Sequence, residues 1–461
     1  MKNEDERLLS PGYGRMFITM SFLVAIFNFA DRAVLAVLAE PIKRDLGLSD
    51  FQLGILQGVA FAFLYAILGL PIGRLAERVS RVRIISAAVI FWSVMTAACG
   101  LIGSFGQLLL CRVGVGMGEA GAQPATSSLV SDHFPRERRA SVMSLIFLGS
   151  PAGTFLGALV GGWVAAQWGW RMAFFALGIP GVLVGLTVLL LLREPRRGLA
   201  DNAPREPTPP PNFRAFLRVV GRKRGLLFVI LGGSLAGFGM TAISQFLAIY
   251  LARMYDLPVQ QAGSLYGTIS AIALTVGLLG GSFGTDWLSR RGDRRWPAWG
   301  AAIGLAIAPF LYWIAFNTQS MLWGSVMLCL SGGTLLIFYG PTLGMIQNLL
   351  EPRMRATGAA LFAILYTIFG SGMGPTAVGW LSDHFASGVF TGGDYLAQCH
   401  GGRAALAAAK GPLDPCALAA THGIKTALMT AVCVFFAASV FYLFAARTLR
   451  EDFYVVGEEK A

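Results

Sequence analysis

The sequence predicts an all-α membrane protein: twelve transmembrane helices in two pseudo-symmetric six-helix bundles, with both termini cytoplasmic. Three observations predict it. The 461 residues are 55% apolar and only 13% charged, about half the charge of an ordinary soluble domain. The apolar residues fall in twelve long, continuous runs. Short charged segments recur at matching places in the two halves. With 57 Gly added, too much of the chain is indifferent to water for a soluble core, whose buried volume grows slowly with length. That excludes a soluble enzyme, a disordered chain and a fibrous repeat. A net charge of +12 would suggest nucleic acid in a soluble protein. In a membrane protein it reflects Lys and Arg kept in cytoplasmic loops, so no nucleic-acid partner is expected.

A helix needs about 20 mostly apolar residues to cross a bilayer. The runs lie near 16–40, 51–72, 84–103, 107–130, 140–164 and 171–192, then near 225–252, 260–284, 297–316, 320–348, 355–382 and 423–446. They are continuous, not alternating ten-residue strands, which excludes a β-barrel. The first run does not read as a cleaved signal. Glu4, Asp5 and Glu6 precede it, and it contains Asp31 and Arg32. With the N-terminus inside, 28 of the 37 Lys and Arg fall in cytoplasmic segments and seven outside, which sets the orientation. The expected location is the inner membrane of a bacterium.

The predicted domains are a cytoplasmic segment 1–15, a first bundle 16–192, a cytoplasmic linker 193–224, a second bundle 225–446 with an extracytoplasmic loop 383–422, and a tail 447–461. Pro204, Pro207, Pro209, Pro210 and Pro211 keep the linker out of helix interiors. After them, Phe213, Phe216 and Leu217 among Arg214, Arg218, Arg222, Lys223 and Arg224 predict a basic amphipathic segment on the inner membrane surface.

The halves repeat. Glu77-Arg78-Val79-Ser80-Arg81 follows the second run and Asp286-Trp287-Leu288-Ser289-Arg290 follows the eighth. Arg139-Ala140-Ser141 precedes the fifth and Arg355-Ala356-Thr357 the eleventh. Six helices repeated as six is the layout of transporters that rock two halves about a central site. Gly149, Gly153, Gly157 and Gly161 form a smooth stripe on the fifth helix, and Gly370 and Gly374 do likewise on the eleventh. Small residues let helices approach closely in lipid. The stripe reads either as a sliding surface between halves or as static packing, and the repeat favours sliding.

Four ionisable residues stand deep in the first half: Asp31, Arg32, Arg112 and Glu119. Each costs about 2.5–3.5 kcal/mol at a helix centre, so they should pair or face a wet cavity and mark an ion or substrate path. At about 1.5 Å per residue, the first-helix pair lies between Arg112 and Glu119 in depth. Asp31 and Arg32 point about 100° apart, so the expected pairs are Asp31 with Arg112 and Arg32 with Glu119. Asp31 and Glu119 are the expected proton carriers, Asp31 first. Arg32, Arg112 and Gln123 are expected to receive an anionic headgroup. In the second half the cavity candidates are Thr241, Gln245, Tyr266, Ser270, Tyr339 and Thr342, with Phe238, Phe246 and Phe338 as apolar wall. A charged half facing an aromatic one suits an amphipathic solute.

Twelve helices in two halves, with Gly73-Arg74-Leu75-Ala76-Glu77-Arg78-Val79-Ser80-Arg81 after the second, resemble the major facilitator superfamily. Its loop signature is Gly-x-x-x-Asp-Arg-x-Gly-Arg; Glu and Ser stand here for Asp and the second Gly. The resemblance implies an inner gate of Glu77, Arg78 and Arg81, with Asp286 and Arg290 as counterparts. Asp31-Arg32, Gly54-Ile55-Leu56-Gln57 and Arg112-Val113-Gly114-Val115-Gly116-Met117-Gly118-Glu119-Ala120 look like the Spinster branch, as do Phe134-Pro135 and Gly149-Ser150-Pro151-Ala152-Gly153. Spinster proteins are linked to lysophospholipid and sphingosine-1-phosphate export. The resemblance implies a secondary transporter, proton-coupled, for such a solute. An organic-anion or drug transporter of the same superfamily is the alternative, and a lipid-processing membrane enzyme is a third class.

No phosphate-cradling Gly-x-x-x-x-Gly-Lys-Ser/Thr string is present, and the four His lack metalloprotease spacing. Neither cofactor nor metal is expected, nor is enzyme activity. Cys399 and Cys416 share the predicted outer loop, where an oxidising compartment favours a disulfide. The expected partners are membrane lipids, an amphipathic small molecule and protons, and the expected state is a monomer.

Overall fold

The computed structural model describes residues 8–76, 78–196, 199–201, 213–291, 293, 295–351, 354–399 and 414–452. Their regular structure is helical. Span 1 is Pro11–Leu46. Span 2 is Asp50–Gln57 continued by Val59–Leu75, and span 3 is Arg81–Ala98. Span 4 is Phe105–Glu119 and Ala122–His133, span 5 is Arg136–Phe147 and Gly149–Trp168, and span 6 is Trp170–Leu191. Spans 7, 8 and 9 are Arg224–Met254, Val259–Arg291 and Trp296–Asn317. Span 10 is Met321–Leu336 and Tyr339–Leu349. Span 11 is Arg355–Leu365, a π-helical segment Tyr366–Met373, and Gly374–Val389. Span 12 is Pro415–Ala431 and Val434–Asp452. Among the described residues, 11 helices are long and apolar enough to cross a membrane. The predicted run outside that set is the fourth, cut into pieces of 15 and 12 residues.

Local chemistry sets the ends. The Ser10 hydroxyl accepts from the Tyr13 amide to start span 1, and Gly47 at φ 64° stops it, a conformation that carries no Cβ penalty for Gly. Ser49 and Gln52 then form a reciprocal capping box that starts span 2. The loop predicted over 383–422 is shorter than expected. Span 11 runs on to Val389 and span 12 begins at Pro415, because polar residues such as Asp383 are buried against protein on the last turns. Cys399 and Cys416 are disulfide-bonded, with Cα atoms 5.5 Å apart.

After the linker prolines, Pro204 through Pro211, all of which lie outside the described residues, comes the helix Phe213–Arg222. Its Phe216 is buried in protein, not left for lipid as the amphipathic reading expects. Lys223 donates to the Leu349 carbonyl at 2.8 Å, which ties this helix to the end of span 10.

The chain forms two compact units. The larger comprises Met1–Pro207, Gln245–Ala271 and Gly379–Ile424; the smaller comprises Thr208–Ser244, Ile272–Val378 and Lys425–Ala461. The larger unit therefore holds the first six spans together with the portions of spans 7, 8, 11 and 12 that loop charge assigns to the extracytoplasmic side, called outer below.

Glycine packing corrects the sliding-surface reading. A Cβ on Gly157 would stand 2.5 Å from Ala30 Cα, and one on Gly149 2.7 Å from Ala25 Cβ. Gly153 and Gly161 meet Ile26 and Val34. The stripe thus seats span 5 on span 1 of the same bundle. Gly162, about 100° round the helix from Gly161, meets Val259 and Gln260 of span 8, and Gly263 meets Ala158. Gly370 and Gly374 likewise seat span 11 on Gly237 and Phe238 of span 7.

The predicted gate residues differ in burial. Arg81 is 1% exposed. It binds Asp132, Glu194 at 2.7 Å and the Ser128 hydroxyl at 2.8 Å, which clamps spans 3, 4 and 6 within the larger unit. Arg78 is exposed there, Asp286 and Arg290 are exposed on the smaller unit, and Glu77 lies outside the described residues. Burial would raise the Glu194 carboxyl. Hydrogen bonds from the Val82 amide, Arg81 and the Ser80 hydroxyl outweigh it and hold Glu194 below the usual carboxylate range.

Two outcomes follow from this packing. Gly157→Ala should lower the thermal unfolding midpoint in detergent, because it drives a methyl into the span 1 backbone. Gly106→Ala, with nothing within 4 Å, should leave it unchanged or slightly raised. A carboxylate with a depressed folded pKa stabilises fully above its unfolded value of about 4.3 and loses that contribution as pH falls through the folded value. Glu194→Gln should therefore be less stable than the parent at neutral pH, with the gap closing as pH falls below about 4, measured by scanning fluorimetry.

Candidate functional site

Spans 1 to 4 bring all four predicted charges together in the larger unit. Arg32 donates to Glu119 Oε2 from Nε at 3.0 Å and from Nη2 at 2.5 Å, which is the expected pair. Its guanidinium carbon lies 4.6 Å from the Phe61 ring centroid, 5.6 Å from Phe29 and 5.8 Å from Tyr65. An aromatic face attracts such a cation.

The expected Asp31–Arg112 pair does not form. Asp31 is 4% exposed and accepts from the Thr96 hydroxyl of span 3 at 2.5 Å. Arg112 is 2% exposed and makes no ion pair among the described residues. Its guanidinium carbon lies 5.6 Å from the Phe61 centroid, and its Nε has no partner. Oε1 of Glu119 is also buried without a partner. The bundle therefore neutralises one of two cations and holds the second acid on a neutral hydroxyl.

Span 4 is interrupted at Ala120–Gly121, and Gln123 beyond the interruption is exposed, unlike the buried Arg112 and Glu119. Span 2 breaks at Gly58, immediately after the buried Gln57. Span 10, the repeat counterpart of span 4, breaks at Ile337–Phe338. Span 11, the counterpart of span 5, carries the π segment where span 5 breaks at Leu148. Non-helical backbone at membrane depth survives only where protein or a wet cavity satisfies it. Matched breaks in two halves are the usual mark of a central site.

The second-half candidates divide between units. Tyr266 and Phe246 are buried in the larger unit, where Gln245 and Ser270 are half-buried. In the smaller unit the Tyr339 ring meets Tyr366 at 5.9 Å and Phe338 at 6.1 Å. The Thr241 hydroxyl donates to carbonyls of Gly237 at 2.9 Å and Gly370 at 2.8 Å. It thereby satisfies a carbonyl of the π segment. Thr342 is engaged by the Phe338 carbonyl at 2.6 Å and by Tyr442. Phe338 is fully buried core, whereas Phe238 is half-buried.

A second charged cluster in the larger unit escaped the sequence reading. Arg253 donates to both Asp50 oxygens at 2.7 Å and to Glu40 at 3.0 Å. Lys43 reaches Asp50 at 2.7 Å, as does the Ser382 hydroxyl at 2.6 Å. Asp383 accepts from the Asp50 and Phe51 amides at 3.1 and 2.8 Å. These contacts fasten the span 1–2 turn to the outer ends of spans 7 and 11. Lys43 and Arg253 had counted only as outer-loop charge. The available signal was Glu40, Lys43 and Asp50 clustered around the Gly47–Ser49 turn.

Comparison with known proteins agrees with this architecture. Residues 21–375 match the family model of the Major Facilitator Superfamily. The chain is 33% identical over 365 residues to an MFS-type efflux pump of Mycolicibacterium smegmatis, covering 78% of this chain and 82% of that one. It is 26% identical to the mouse sphingosine-1-phosphate transporter SPNS2 over 373 residues, covering 78% and 68%. A solved bacterial homolog of the human lysosomal transporter Spinster, inward-facing and unoccupied, superposes with a TM-score of 0.87 at 31% identity, over 97% of this chain and 100% of that one. Spans, repeat and matches together make the chain an integral multi-pass membrane protein that belongs to the Major Facilitator Superfamily, as a Spinster-like transporter.

Proposed function

We propose that the protein moves an anionic amphipathic solute, of the lysophospholipid or sphingoid-phosphate kind, across the membrane by alternating access coupled to protons. The observation that carries this is the imbalance among the buried charges. Among the described residues Arg112 makes no ion pair and its Nε has no hydrogen-bond partner, while Asp31 sits on the Thr96 hydroxyl. A buried guanidinium without a partner is costly and is suited to a phosphate or carboxylate head. The relative named as a sphingosine-1-phosphate transporter supports that choice of head.

The Thr96 hydroxyl can donate to an ionised Asp31 and accept from a protonated one, so both states keep a partner. Ionised, Asp31 competes with the solute for the field of Arg112. Protonated, it leaves Arg112 to the solute. Proton and anion then bind cooperatively, which favours symport. Glu119 is the rival carrier, but its Oε2 holds Arg32, so a proton there would strand a second buried cation. The outer cluster of Asp50 and Arg253 closes the extracytoplasmic end in this reading and must separate for the solute to cross.

The M. smegmatis relative is named as an efflux pump, which favours drug or organic-anion transport as the second reading. Flux into proteoliposomes with a lysolipid panel and an organic-anion panel separates the two. Lysolipid movement that rises with an imposed pH gradient is the expected result; movement of organic anions alone would select the second reading. Asp31→Asn should bind the solute and move it with no response to the gradient. Arg112→Gln should weaken binding by roughly 10- to 100-fold, the worth of a charge-assisted hydrogen bond. Full gradient-driven transport by Asp31→Asn, together with its loss in Glu119→Gln, would move the proton to Glu119.

A further inference from the structure

Gln57 is the buried polar side chain of the first bundle that the charge arrangement leaves unexplained. It is 3% exposed, yet neither its Nε2 nor its Oε1 has a hydrogen-bond partner among the described residues. Leaving both ends of a buried amide unsatisfied is unfavourable. Native proteins rarely do it without a reason.

Its position supplies the reason. Spans 2 and 4 run parallel: Gly116 lies against Phe61, and further along both helices Gly121 lies against Ile72. A Cβ on Gly116 would stand 3.3 Å from Phe61 Cα. Gln57 stands four residues before Phe61, just across the break at Gly58, and Arg112 stands four residues before Gly116. Arg112 lies 5.6 Å from the ring of Phe61 and has its own unpartnered Nε. The helix breaks at Gly58, directly after Gln57. An unsatisfied amide, an unpartnered guanidinium Nε and an interrupted helix therefore all fall within four residues of the Phe61–Gly116 contact.

We propose that Gln57 is a specificity-determining residue, whose amide reads an uncharged hydroxyl or amide group adjoining the anionic head that Arg112 receives. The inference rests on the reading of the solute as an anionic amphipath. An amide both donates and accepts, so it matches a hydroxyl in either sense. A site built to bond such a group discriminates against a solute that lacks it, because the buried amide is then left unpaired.

Two measurements on the full-length protein test this. In the first, Gln57→Leu and Gln57→Met are compared with the parent by scanning fluorimetry in detergent, without solute. A residue kept for a ligand is a burden on the empty protein, so both variants should unfold about 1–3 °C higher. A fall in both would overturn the proposal, since it would mean the amide supports the fold. The second is proteoliposome flux of a 1-acyl lysophosphatidate and its 2-deoxy analogue, which share the phosphate and differ by one hydroxyl. The parent should prefer the hydroxylated lipid by roughly 3- to 10-fold, the worth of one neutral hydrogen bond. Gln57→Leu should bring that ratio close to one. Equal movement of both lipids by the parent, or an unchanged preference in Gln57→Leu, would overturn the role of Gln57. If the parent moves neither lipid, the anionic-amphipath reading fails, and the unfolding comparison still decides whether Gln57 is held for a ligand.

Discussion

The cost of a charge in hydrocarbon governs this molecule. Each ionised side chain within a span must find a counter-charge, a hydrogen-bonding shell or water. The outer cluster meets that demand in full: Asp50 alone receives Arg253, Lys43 and the Ser382 hydroxyl. The central group meets it in part. Arg32 and Glu119 satisfy each other, Asp31 has a hydroxyl, and Arg112 has the Phe61 ring. The fully paired cluster fastens the span 1–2 turn to spans 7 and 11. In the proposed function, the missing counter-ion is the one that arrives with the solute.

The helices are built for close but interruptible packing. Gly153 and Gly157 bring span 5 onto the backbone of span 1, where a side chain would keep them apart, so the first bundle is rigid along that seam. The breaks at Gly58, Ala120–Gly121 and Ile337–Phe338 fall beside the polar residues. The π segment of span 11 has a carbonyl held by Thr241. Close seams and locally broken spans thus occur side by side in the same bundle.

Much of this was legible beforehand. Twelve apolar runs predicted the spans, because a bilayer imposes length and hydrophobicity on any helix that crosses it. Asp31, Arg32, Arg112 and Glu119 stood out because charge is rare in such runs, and the depth estimate paired Arg32 with Glu119 correctly. The Asp31 partner was not legible: Thr96 is one hydroxyl among many in span 3, and a hydroxyl leaves no charge pattern. The exposure of Gln123, beyond the interruption at Ala120–Gly121, was not legible from heptad spacing. The Gly149–Gly161 stripe showed that something packs closely, but not which neighbour. The outer cluster joins Glu40, Lys43 and Asp50 of the span 1–2 turn to Arg253 and Asp383, far off in sequence, and each looks like an ordinary loop charge until the chain folds.

If Asp31 and the solute compete for Arg112 as proposed, solute binding draws a proton onto Asp31. Proton uptake on addition of the transported solute, recorded in weakly buffered detergent solution near neutral pH, tests that link without relying on flux. Uptake of about one proton per solute bound by the parent, and none by Asp31→Asn, is what competition between carboxylate and anion requires. Equal uptake in both, or none in the parent despite binding, would contradict it.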